Sequence, residues 1–310
     1  MRPALSVILL TTLIGAGQGL FLALFAAEIA ALAHVTAMPG TNFFVAGSVL
    51  ALLLAGAGLV ASFYHLGHPE RAWRSAARWR TSWLSREVIA LPLFMAGVFL
   101  YGAAHFAGIG RTATIGSVTS VLCLALFICT GMVYASLRLL REWASPLTPI
   151  NYLLLGCASG TLLAATFAAI SGSSLAAPFA TAALLLTLAG AMTRAAALSR
   201  NQNLRPKSTL QTAIGVPHPK IAQLAQGSMG GSFNTREFFH GATPQKMRTI
   251  KWSFLLLAFV VPVLLLALGR DSAIVLAAAF VIQYLGLLAE RWYFLADANH
   301  PQNLYYQAIS

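Results

Sequence analysis

The stretch ASFYHLGHPERAWRSAARWRTSWLSREVIA, residues 61–90, decides how the rest of the chain is read. It starts where one long apolar segment ends and finishes as the next begins. Between them lie a His-Leu-Gly-His-Pro turn, a run rich in Arg and Trp, and Leu84-Ser85-Arg86-Glu87. A carboxylate just inside an apolar helix is costly to desolvate, so it needs a partner or a task. Ser85 can cap that helix by accepting a backbone N–H bond, and Glu87 in the first turn suits the positive end of the dipole. A capped helix with interfacial charges explains these residues singly. The convergence of His65, Arg71 and Glu87 at the ends of two consecutive helices points instead to a site.

Working outward, 58% of residues are hydrophobic and only 9% charged, against roughly 25% charged in soluble domains. That deficit makes the chain an all-α integral membrane protein. The apolar stretches have the length of a bilayer core crossed as helix, about 20 residues each. Eight are expected, near 4–33, 43–64, 85–106, 114–137, 149–170, 176–197, 251–269 and 272–290, with no soluble domain between them. The run after Met1-Arg2-Pro3 is too long for a signal-peptide core and reads as the first span. The formal net charge of +12 does not imply nucleic acid, because the cations sit in loops beside apolar spans. Arg71, Arg74, Arg78 and Arg80 follow the second span, Arg138 and Arg141 the fourth, and a long basic loop the sixth. The other face holds little beyond Arg111 and Arg270. Both termini and the basic loops are therefore expected in the cytoplasm. Cys123, Cys129 and Cys157 all lie in apolar segments without a CxxC, so they read as packing residues.

Within the first span, Gly15, Gly17 and Gly19 allow close helix approach, while the amide of Gln18 needs a hydrogen-bond partner. Glu28 is read as pairing or snorkelling rather than moving protons. Along 71–83, α-helical spacing sets Arg71, Arg74 and Arg78 on one arc and Trp73, Trp79 and Trp83 on another, a segment for the headgroup region. Residues 198–250 form the longest polar segment. Its aromatic residues and mixed composition suggest an ordered docking surface, with Lys220, Arg236, Phe238 and Phe239 as contacts.

His65-Leu66-Gly67-His68-Pro69-Glu70-Arg71-Ala72-Trp73, followed by Leu84-Ser85-Arg86-Glu87, resembles the DmsC family, the membrane-anchor subunits of molybdenum oxidoreductases of the dimethyl sulfoxide reductase type. Gln18 and the count of eight spans fit the same family. In the long loop, STLQTAIGVPHPK and QGSMGGSFNTREFFHG look like the SoeC branch, which anchors cytoplasmic sulfite dehydrogenase. The resemblance implies a complex in the bacterial inner membrane. A molybdopterin subunit would act on the substrate, an iron–sulfur subunit would dock on the 198–250 loop, and this chain would bind a quinone, expected to be ubiquinone. The family's quinone-site histidine falls on His65 and its glutamate on Glu87; Gln18, Arg71 and Ser85 join them on chemical grounds.

In that frame His65 donates to a quinone carbonyl, Glu87 relays a proton, and Arg71 either faces the charge developing on oxygen or holds Glu87. Three other readings stand beside it. A haem b anchor would need two facing imidazoles, for which His34 and His105 are candidates. A related anchor could run the other way, oxidising quinol for a reductase. A secondary transporter would show inverted repeats, which are not evident.

Overall fold

Eight helices long and apolar enough to cross a bilayer stand among the described residues of the computed structural model, which describes 1–64, 66–205, 209–222, 224, 237–301 and 303. They are Leu5–Leu32 (α1), Thr41–Phe63 (α2), Trp83–Phe106 (α3), Thr112–Ala135 (α4), Leu147–Ile170 (α5), Ala176–Gln202 (α6), Pro244–Gly269 (α8) and Ala273–Ala296 (α9). A five-residue helix, Leu210–Ile214 (α7), lies in the long connection. No strand occurs among the described residues. The expected all-α membrane bundle is what is found. Eight alternating spans return the chain to the end where it began, and the arginine-rich connections after α2, α4 and α6 share that end. It is called the basic end below.

Three boundaries differ from those expected, for one reason. Hydropathy loses the helix where polar residues enter its last turns, but capping does not. Thr243 Oγ1 accepts from Lys246 N at 3.2 Å and Pro244 takes the first helical position, so α8 starts seven residues before 251. Likewise α6 continues to Gln202 and α9 to Ala296. The Arg/Trp segment is also not α-helical. Pro69–Arg78 is a 3-10 helix, and its threefold repeat aligns Trp73 with Trp79 and Arg71 with Arg74, leaving Arg78 off that row.

α1 and α5 form the axis of the bundle. Their central windows are 67% and 61% buried, against 28–44% for the others. Each carries a small-xxx-small pair, Gly15 and Gly19 on α1, Gly156 and Gly160 on α5, and the backbones touch there. A Cβ on Gly19 would lie 2.9 Å from the Cα of Cys157. Gly17 faces α2, where a Cβ would meet the Ala51 carbonyl oxygen at 2.9 Å. The alternation leaves Gln18 aimed at α4, whose Cys123 carbonyl accepts from its Nε2 at 2.9 Å. In α8, Pro262 lacks the N–H that would bond to the Ala258 carbonyl, and a π turn, Leu256–Val260, precedes it. Gln283 of α9 donates to that carbonyl at 3.4 Å and to Thr187 of α6 at 2.9 Å.

At the opposite end the helices stop in left-handed caps. Gly108 (φ 67°) and Gly172 (φ 65°) occupy two of them, with Ile109 N bonding Ala104 O and Ser173 N bonding Ala168 O, both at 2.9 Å. α1 ends in the same way, but with His34 at φ 59° and Val35 N bonding Ala30 O at 2.9 Å.

Candidate functional site

α3 is capped by Ser82, not Ser85. The Ser82 hydroxyl accepts from Ser85 N at 3.4 Å, and Ser85 itself is buried in the first turn. The earlier start, one turn upstream, moves Glu87 into the second turn, out of reach of the dipole end and into the bundle. There Thr130 of α4 donates to Glu87 Oε1 at 2.6 Å.

Glu87 and Gln18 border one narrow cavity between α1, α3, α4, α5 and α9. Thr11, Thr12, Thr130, Tyr152, Ser159 and Arg291 add polar groups to its lining, and Ile14, Phe127, Leu155 and Leu287 add apolar ones. Arg291 is the cation of this cavity. Its guanidinium sits 3.7 Å over the Tyr152 ring, and Nη1 is 3.4 Å from Glu290 Oε2. Glu290 is fully buried and its other oxygen is 2.7 Å from Arg194 Nε. Arg194, Glu290 and Arg291 thus form a buried row of two guanidinium groups and one carboxylate, and the Glu87 carboxyl group lines the same cavity as Arg291.

Sequence reasoning missed Arg291, Glu290 and Arg194. The signal was present: an adjacent acid and base, and a lone arginine, each inside an apolar run. Ending the last span at 290 made Arg291 look like an interfacial flank. Arg71 does not join the site. It is exposed on the 3-10 segment, with Nε 3.6 Å from Glu70 Oε1, and Glu70 also meets His68 at 3.1 Å. Glu87 is held by Thr130 instead. His65 lies outside the described residues.

Of the expected docking contacts, Arg236 lies outside the described residues and Lys220 is exposed. Phe239 is buried within the chain and Phe238 stacks on His300 at 3.8 Å between ring centroids, so both serve the chain's own packing. His34 is an exposed cap residue. His105 stacks on Phe44 at 4.2 Å with Nε2 3.6 Å from Glu28 Oε1, so its ring is given to a carboxylate and an aromatic neighbour. Glu28 also accepts from Tyr101 at 2.8 Å and from Thr112. It pairs, as expected, and does not snorkel.

The sequence matches the family model described as DMSO reductase anchor subunit (DmsC) over residues 1–294. It is 50% identical to the C subunit of the sulfite dehydrogenase of Allochromatium vinosum, over an alignment of 325 residues that covers all of both chains.

Proposed function

This chain belongs to the DmsC family of DMSO reductase anchor subunits, and from that premise we propose that it is the quinone-binding anchor of a molybdenum and iron–sulfur enzyme that oxidises sulfite. The observation carrying the quinone reading is the cavity that unites Glu87, Gln18 and Arg291 near the basic end. The sulfite reading is supported by the relative's name. A cavity lined by carboxyl, amide, hydroxyl and guanidinium groups together with aliphatic and phenyl groups suits the chemistry of an amphipathic ring with two carbonyl oxygens.

When bound, the quinone supplies an acceptor for two electrons and two protons. Glu87 holds a proton for one carbonyl oxygen and is oriented by the Thr130 hydroxyl. Arg291, fixed by Tyr152 and Glu290, places positive charge where negative charge develops on oxygen. Gln18 is locked by its bond to Cys123 and shapes the wall. Ile14, Phe127 and Leu155 keep bulk water out. His65 contributes the second donor through the family resemblance.

The partners are an iron–sulfur subunit docked on the 198–250 segment at the basic end and, through it, the molybdopterin subunit. With both termini and the site on the cytoplasmic side of a bacterial inner membrane, sulfite electrons reach ubiquinone without net charge separation. In the purified complex, Glu87→Gln and His65→Arg should leave reduction of an artificial acceptor dye intact while quinone reduction drops by roughly 100-fold or more. Normal quinone turnover in both variants would overturn the assignment.

A further inference from the structure

Three cavities follow one another inward from the basic end. Asp297, Lys251, Glu142 and Asn201 border the outermost. Glu142 and Asn201 also border the second, which contains Arg194 and Glu290. Arg291 lines the second and, on its other side, the cavity that holds Glu87. The shared residues place the three side by side, Glu142 and Asn201 between the outer two and Arg291 between the inner two. We propose that this row is the proton-entry route to Glu87, with Glu142 at its mouth, Glu290 as its buried carboxylate and Arg291 as the partition between its last two chambers. The proposal rests on the quinone reading above and adds where the protons come from.

The need is chemical. Each turnover at the cavity consumes two protons, and apolar helix walls conduct none. The row is built for water. Although Glu290 touches Arg194 at 2.7 Å, neither carboxylate oxygen nor Arg194 Nε or Nη2 makes an aligned hydrogen bond within the chain. Fully buried polar atoms in that state hold their remaining capacity for water. The arginines along the route are each held by acceptors within the chain. Arg200 is tied to the carbonyls of Arg141 and Ala144 at 3.0 and 3.2 Å. Arg194 and Arg291 share Glu290, at 2.7 and 3.4 Å. A proton entering at Glu142 passes along hydrogen-bonded water beside Glu290 and Arg291 to the Glu87 carboxylate, which delivers it to the ligand oxygen. The electrons arrive separately from the iron–sulfur partner.

Asn201→Leu and Glu142→Leu act at the junction of the outer two cavities, and neither residue lines the cavity that holds Glu87. In the purified complex, three quantities are measured: binding of 2-heptyl-4-hydroxyquinoline N-oxide by fluorescence quenching, the rate of quinone reduction, and its solvent deuterium isotope effect. The route requires unchanged analogue binding, quinone reduction slowed by roughly tenfold or more, and a larger isotope effect as proton delivery becomes limiting. Glu142→Asp should restore most of the rate. Wild-type rates and isotope effects in both leucine variants would overturn the route. So would loss of analogue binding in either, since the residues would then be shaping the cavity. Absence of analogue binding in the unaltered complex would defeat the quinone site instead.

Discussion

Arg291 is held at the cavity by the Tyr152 ring on one side and by Glu290. Replacing it by Met keeps the length and removes the charge, while Glu290 retains Arg194. We expect Arg291→Met to raise the KM for quinone and to lower kcat/KM by roughly 10- to 100-fold, with dye reduction unchanged. An unaltered kcat/KM would show that the cation serves packing alone. At the other end, His34 holds a left-handed backbone that glycine adopts without strain. His34→Gly should therefore stabilise the chain by about 1 kcal/mol, seen as a rise in the unfolding midpoint. At this scale the sequence revealed those groups that stand alone in apolar runs, Gln18, Glu28 and Glu87. It concealed those whose meaning lies in a partner on another helix. Thr130 and Tyr152 look like ordinary span residues until α4 and α5 are placed around Glu87. Arg71 shows the converse, a residue close in sequence to the site and committed elsewhere by a neighbouring carboxylate.

Helix existence was legible because apolar length alone demands it; helix ends and helix type were not. Capping chemistry at Thr243 and Ser82 overrode hydropathy, and the short Pro69–Arg78 segment adopted the tighter helix that spacing arguments do not anticipate. The glycines of α1 were legible, but not that α5 answers them with its own pair. Gly19→Val would force branched carbons into the Cys157 backbone and should cost about 1–3 kcal/mol, read as a lower midpoint in detergent unfolding. Gln283→Leu would strip the Ala258 carbonyl and Thr187 of their donor, an expected loss of about 1–2 kcal/mol. The segment beside Phe239 should respond to acid. Burial lowers the proton affinity of His240, and its Nδ1 accepts from Ala242 N at 3.0 Å. The folded state thus favours the neutral ring. Its contribution is complete above the unfolded value of about 6.5 and declines as the pH falls through that value toward the lower folded one. Intrinsic-rate-corrected hydrogen exchange at 237–243 should be faster at pH 5.5 than at pH 7.5; equal protection would refute this.

For the whole molecule, charge asymmetry between the two ends predicts orientation. A cysteine at Gly110 should react with an impermeant thiol reagent in intact cells, and one at Asn203 only after permeabilisation. The reverse pattern would invert the topology and move the cavity to the outer leaflet. The bundle also fixes an order of events. Gln18 and Glu87 belong to the first and third spans, whereas Arg291 and its acidic neighbour belong to the eighth. During synthesis, a ribosome that has released the early spans has therefore made only an electrically incomplete pocket. Completion waits for the final span to insert, so a stalled or truncated product carries the lining of the earlier spans but neither Leu287 nor Arg291. On the proposed reading, such a product lacks the cation that would face the ligand.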